Sequence, residues 1–141
     1  MVSTLYLSEE TIEEFCKRLQ DTIETITSDY EIILVDDGSP DKSFKVAQKI
    51  RKLNKKIKLI QFSRNFGHQM AITAGLRYAI GDYVSIIDAD LQDPPEIIEQ
   101  LYKKIISGYE VVYAKRKNRK GETIFKKIIS SFGYFLINKL S

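Results

Sequence analysis

The sequence predicts an α/β fold, a three-layer α/β/α sandwich around a mainly parallel sheet. Three observations predict it. Short apolar runs alternate with amphipathic stretches along the whole chain. The runs are continuous rather than alternating in polarity, as strands buried on both faces require. Acidic clusters follow two of them, at Asp36-Asp37 and at Asp88-Asp90. Regular strand–helix alternation gives parallel strands with helices on both faces, and ligands then bind at the carboxyl ends of those strands. Both acidic clusters therefore belong to one crevice.

The elements follow in order. Residues 1–5 form a short first strand. Ile12, Phe15, Cys16, Leu19, Ile23 and Ile26 recur at spacings of three and four and mark one face of a helix over 9–26, with Ser8 or Thr11 as its cap. Ile32 to Val35 is the second strand. Ser39 as cap and Pro40 at the first helical position open a helix to about Leu53. Residues 57–62 form the third strand. A helix rich in small residues runs from His68 to Ala79 and is ended by Gly81. Residues 83–87 form the fourth strand. Pro94 and Pro95 start a helix to Ser107, closed by Gly108 and with Asp93 as its cap. Residues 111–114 form the fifth strand, and an amphipathic helix spans about 122–140.

The 141 residues suit one domain, and 43% hydrophobic residues suffice for an ordinary core. A single cysteine, Cys16, excludes an internal disulfide, and its place on an apolar stripe marks a buried, inert thiol. No start resembling a signal peptide and no apolar run of membrane-spanning length is visible. A cytoplasmic location, free or on the cytoplasmic face of a membrane, is expected. Net charge is +3, but residues 115–127 gather lysines and arginines against Glu122 alone. That local basic stretch, with Arg116 in it, suits a lipid phosphate or an anionic membrane surface. Phe125, Ile128, Ile129, Phe132, Leu136 and Leu140 after it fit an interfacial helix, or equally a helix packed on further protein. No nucleic-acid recognition module matches.

Asp88 and Asp90 stand two residues apart, so in an extended segment both face the same side, and Gln92 continues that parity. Oxygen ligands of this kind suit Mg²⁺ or Mn²⁺. A solvated turn is the plain alternative, made less favourable by the buried strand before it. Asp37 and Gly38 make a turn in any case, and also a place where a carboxylate meets a base or ribose while the backbone passes close to a ligand. Arg64 and His68 flank the turn after the third strand, within reach of a diphosphate or sugar.

These residues carry a family resemblance. Val35-Asp36-Asp37-Gly38-Ser39-Pro40-Asp41 resembles the first nucleotide-binding motif of glycosyltransferase family 2, and Asp88-Ala89-Asp90-Leu91-Gln92-Asp93-Pro94-Pro95-Glu96 resembles its metal motif. Ser63-Arg64-Asn65-Phe66-Gly67-His68-Gln69 narrows the likeness to polyprenyl-phosphate sugar transferases, the branch that includes dolichol-phosphate mannose synthase. The resemblance implies a Rossmann-like GT-A fold and a nucleotide-diphosphate sugar donor, UDP- or GDP-linked. It implies a nucleoside contact from Asp37, a nucleotide-sugar site including Gly38 and Ala89, and metal and diphosphate contacts from Asp88, Asp90 and Gln92, with Asp90 catalytic. It implies an inverting transfer, with a membrane lipid phosphate as the usual acceptor; by their positions in the sequence, Arg64, His68 and Arg116 are candidate diphosphate or acceptor contacts.

The family's first strand typically ends Pro-x-Tyr-Asn-Glu, whereas this chain reads Thr4-Leu5-Tyr6-Leu7-Ser8-Glu9. Tyr6 fits the pattern, and Thr4 and Glu9 stand where the other base contacts fall. Family chains continue past the equivalent of Ser141 with acceptor segments, so this chain is expected to be the donor-binding half. Three other functions compete. A nucleotide-binding module without turnover differs only by the absence of transfer. A phosphoacceptor receiver domain fits the Asp-x-Asp-x-Gln pattern poorly. A dinucleotide oxidoreductase needs a glycine-rich first turn, and residues 6–11 contain no glycine.

Overall fold

A computed structural model describes residues 1–115. The basic stretch beyond Lys115, Arg116 with it, and the helix expected over 122–140 lie outside the described residues. The elements are β1 (Val2–Leu5), α1 (Ile12–Glu24), β2 (Ile32–Asp36), α2 (Ser43–Leu53), β3 (Ile57–Gln61), α3 (His68–Tyr78) and α4 (Ile97–Ile105). β2 is central and parallel to both neighbours, with Val2 opposite Ile33 and Ile32 opposite Ile57.

Period-two alternation along the strands sends side chains to two separate cores. Leu5, Ile32 and Leu34 pack with Ile12, Phe15 and Leu19 of α1, Ala47 of α2 and Ile98 of α4. Val2, Ile33 and Val35 pack on the opposite face with Ala71 of α3. All five residues of β2 are buried, which explains its unbroken apolar run. Helices on both faces of a parallel sheet make the expected three layers.

Several boundaries differ from the sequence expectation. α2 begins at Ser43, not at Pro40. Ser39 is not its cap, because Ser39 Oγ accepts the Leu7 N–H at 2.7 Å, and Asp41 Oδ1 accepts the Ser43 N–H at 3.0 Å. Thr11 holds the N-cap position of α1 but makes no side-chain cap; its hydroxyl donates to the Ala89 carbonyl at 2.8 Å. α4 begins at Ile97 with Glu96, rather than Asp93, at the N-cap position. Two consecutive prolines without N–H groups end in a turn, in which Ile97 N–H bonds to the Pro94 carbonyl, before the helix ladder starts.

The fourth strand is reduced to one parallel bridge, Val2 with Ile86. Val2 N–H donates to Ser85 O at 2.9 Å, and Ile87 N–H to Val2 O at 3.1 Å. Residues 111–115 form no strand, and Val111 and Tyr113 are exposed. A strand needs a hydrogen-bonding neighbour, and the described residues offer residues 111–115 none. The bridge nevertheless fixes the topology. The chain steps from β1 to β2 to β3 and then returns to the far side of β1.

Candidate functional site

That return makes the gap between β1 and residues 85–87 a topological switch point, where open α/β sheets bind ligands outside the carboxyl ends of their strands. Four loops surround it: 6–11 after β1, 37–42 after β2, 62–67 after β3 and 88–96 after the bridge.

The first two loops are joined through reciprocal hydrogen bonds. Leu7, in the left-handed region at φ 54°, donates to Ser39. Ser8 N–H donates to Ser43 Oγ at 2.8 Å, and Glu9 N–H to Asp41 Oδ2 at 3.2 Å. Glu9 Oε2 in turn accepts the Lys42 N–H at 2.8 Å. Glu9 is thus a tie between loops as it stands here. The sequence marks Ser39 only as a helix cap and Asp41 only as part of the first motif, and nothing in it singles out Ser43, the first residue of α2.

Asp37 joins the second and third loops. It is buried, and its two carboxylate oxygens accept the N–H groups of Phe66 at 2.7 Å and Gly67 at 3.0 Å. A negative charge is thereby held at the N-terminus of α3, where the helix dipole favours it. Gly38 has φ +64°, and a Cβ there would meet the Arg64 backbone carbon at 2.3 Å. Its openness therefore serves the close approach of the 63–67 loop. Arg64 is exposed, with its guanidinium 4.1 Å from the Phe66 ring centroid, a cation–π contact that lays it along the loop.

Asp36 lies beneath these loops. It is fully buried, and neither carboxylate oxygen has a hydrogen-bond partner. Burial pushes its carboxyl up to about 6, an effect that the nearby Ser39 backbone offsets only in part.

At the switch point itself three side chains meet. Thr4 Oγ1 lies 3.1 Å from His68 Nδ1 and 3.3 Å from Asp88 Oδ1, and His68 Nε2 is 3.8 Å from the same Asp88 oxygen. Thr4 is the penultimate residue of β1, His68 is the first residue of α3, and Asp88 follows the bridged segment. Asp37 on Gly67 and Asp88 on His68 therefore border one rim, as the sequence required of its two acidic clusters. Tyr6 projects from the same strand end and is half exposed.

Along the metal-like motif, Asp88 and Asp90 are exposed on either side of buried Ala89, so the alternation holds there. The extended backbone does not continue. Ala89 and Asp90 enter a turn, Leu91 has φ 60°, and Asp90 Oδ1 accepts the Gln92 N–H at 2.9 Å. The expected extended parity of Gln92 is replaced by this Asx-type turn, in which Gln92 still remains exposed. Among the described residues no set of three or more His, Cys, Asp or Glu groups converges into a cage for a metal ion. Two exposed carboxylates fit a Mg²⁺-like ion, which is commonly bound through one or two carboxylates with phosphates completing its shell. Cys16 is buried in the core, and its thiol is pushed up to about 12 by burial, which matches the inert thiol expected. Among the described residues no helix is long and apolar enough to cross a membrane.

A three-layer α/β domain with polar side chains gathered at its switch point belongs to the class of nucleotide-binding folds. The comparisons define it further. The sequence pattern of Glycosyl transferase family 2 matches residues 2–140, and the chain belongs to that family. A Bacillus subtilis (strain 168) protein named uncharacterized glycosyltransferase YkcC is 45% identical over 141 residues, covering 100% of this chain and 44% of its own. The undecaprenyl-phosphate 4-deoxy-4-formamido-L-arabinose transferase of Photorhabdus laumondii is 38% identical over 140 residues, covering 99% of this chain and 43% of its own. Among solved structures, S. aureus TarS 1–349 in complex with UDP-GlcNAc superposes with a TM-score of 0.67 at 25% identity, over 87% of this chain and 35% of that one. The chain spans under half the length of the curated relatives it matches.

Proposed function

We propose that this chain binds a UDP- or GDP-linked sugar and serves its divalent-cation-dependent transfer, with inversion, to a polyprenyl phosphate. The observation that carries the donor site is the meeting of Thr4, His68 and Asp88 at the switch point, beside the Asp37 loop. The structural likeness to TarS with UDP-GlcNAc supports a nucleotide-sugar donor. The Photorhabdus laumondii relative, named for its undecaprenyl-phosphate acceptor, supports the lipid phosphate.

In this reading the nucleoside lies over Tyr6 and Asp37. A carboxylate has about four lone-pair sites, and the two backbone N–H groups on Asp37 leave room for a base or ribose. The diphosphate lies near the N-terminus of α3, whose first N–H groups favour anions. Asp88, Asp90 and Gln92 hold the cation, Mg²⁺ or Mn²⁺. When bound, that ion supplies positive charge to the departing diphosphate. The bond from sugar C1 to the diphosphate oxygen breaks, and a bond from C1 to an acceptor phosphate oxygen forms on the opposite face. The nucleoside diphosphate leaves with the electron pair. An ionised phosphate is already nucleophilic, so this acceptor needs little help from a general base, whereas a sugar hydroxyl would require one. Because the chain spans under half of its relatives' length, donor binding without turnover is the second reading; transfer or donor hydrolysis by the chain itself separates the two.

Calorimetric titration with UDP and GDP, with and without Mn²⁺, tests the donor site. One nucleotide should bind tightly only with Mn²⁺, and Asp90→Ala should weaken it about tenfold or more, because hydrogen bonds and contacts to charged groups are worth about 1.5–3 kcal/mol. Equal affinity with and without the ion would remove the cation from the site.

A further inference from the structure

The geometry points to Thr4 as a positioning residue that fixes both the imidazole tautomer of His68 and the rotamer of Asp88, rather than as a contact to the nucleoside. The inference rests on the donor-site reading above for its cation arm alone.

A threonine hydroxyl has one proton and can accept through its lone pairs, whereas an ionised carboxylate only accepts. Thr4 Oγ1 is within bonding distance of Asp88 Oδ1 at 3.3 Å, so its proton belongs to that bond. The contact from Thr4 Oγ1 to His68 Nδ1 at 3.1 Å can then form only if Nδ1 carries the hydrogen. A neutral imidazole has one N–H, which leaves Nε2 bare. Nε2 stands 3.8 Å from the same Asp88 oxygen. The hydrogen of the Thr4 hydroxyl and one of its two lone pairs are thus committed within the chain.

Two acceptors consequently face one small region, the Asp88 carboxylate and His68 Nε2. Such a pair repels a bare anion and welcomes a cation or a sugar hydroxyl. Without the Thr4 hydroxyl the ring is free to take the other tautomer. Its Nε2–H would then turn to Asp88 and occupy the carboxylate that the donor site needs. Groups that orient a ligand in this way are known to alter metal affinity by about 10–100-fold when removed.

The chain has one histidine, so its imidazole nitrogen signals carry no overlap. Nitrogen-15 NMR of the ring in mildly alkaline buffer, without metal or nucleotide, should show Nδ1–H for the wild type and for Thr4→Ser, and a shift toward Nε2–H for Thr4→Val. A predominant Nε2–H ring in the wild type, or no difference in Thr4→Val, would overturn the inference. Mn²⁺ alone, titrated by electron paramagnetic resonance, should bind about tenfold more weakly to Thr4→Val and normally to Thr4→Ser. Loss of UMP or GMP affinity in metal-free buffer, with tautomer and Mn²⁺ affinity unchanged, would return Thr4 to the nucleoside and overturn the proposal. Failure of the wild type to bind Mn²⁺ would overturn the cation reading instead, and the ring signals decide the role of Thr4 by themselves.

Discussion

Asp36 has no favourable partner where it is buried, and this makes the stability of the fold depend on pH in a direction opposite to the usual carboxylate. Its folded-state value is raised from 3.8 to about 6. Below about pH 4 both folded and unfolded chains carry it protonated, and it costs nothing. As pH rises from 4 to 6 the unfolded chain releases the proton first, so stability falls over that window. Each unit is about 1.4 kcal/mol, so the loss is on the order of 3 kcal/mol and is complete above the folded value. Asp36→Asn should flatten the decline in melting temperature between pH 4 and 7 relative to the wild type. Parallel pH profiles for the two proteins would show that Asp36 ionises freely in the fold. The sequence set this residue beside Asp37 in one acidic cluster, and nothing in the pattern separates them. Strand parity does: Asp36 follows Leu34 on the side of α1 and α2, whereas Asp37 follows the strand end and reaches the Phe66 and Gly67 amides just before α3.

At the scale of elements, the contact of α3 with the sheet depends on Gly75. A Cβ there would lie 2.3 Å from Val2 Cγ1 and 3.2 Å from Val35 Cγ2. Alanine is the better helix former by about 1 kcal/mol, but overpacking a close interface costs about 1–3 kcal/mol. Gly75→Ala should therefore lower the urea midpoint, and adding Val2→Ala should recover part of the loss. Additive effects of the two changes would mean that they do not share the contact. The small residues of this helix were legible as a feature, but not as the reason α3 approaches β1 so closely. The starts of α2 and α4 were read too early for a related reason. Ser39 and the Pro94-Pro95 pair look like helix-opening residues, yet Ser39 serves a neighbouring loop and the prolines lie in a turn. Tertiary partners decided both, and a single sequence does not display them. The three strands, the order of helices and the buried face of α1 were legible because each rests on a local pattern, a continuous apolar run for a buried strand and a spacing of three and four for α1.

For the molecule as a whole, stability should be graded from the centre of the sheet to the switch point. β2 is bonded to strands on both sides and covered by helices on both faces, so its amides should exchange only through global opening. Residues 83–87 are held by a single bridge to Val2, and Tyr83, Val84 and Ile86 are substantially exposed. Their weak attachment is also why a strand that the apolar run predicts is only a bridge here. The donor-site loop at Asp88 follows directly from this singly bridged segment, while its partners Thr4 and His68 sit on regular elements. A ligand that joins the two sides must therefore change the segment far more than the centre. Native-state hydrogen exchange should show Ile33 to Val35 protected to the full unfolding free energy, about 5–15 kcal/mol for a domain, and the amides of residues 84–86 exchanging orders of magnitude faster. UDP or GDP with Mn²⁺, whichever binds, should slow residues 84–92 at least about tenfold and leave β2 unchanged at concentrations too low to raise global stability. Uniform protection across the sheet, or slowing confined to residues far from the switch point, would mean that the ligand does not bridge β1 and the Asp88 loop.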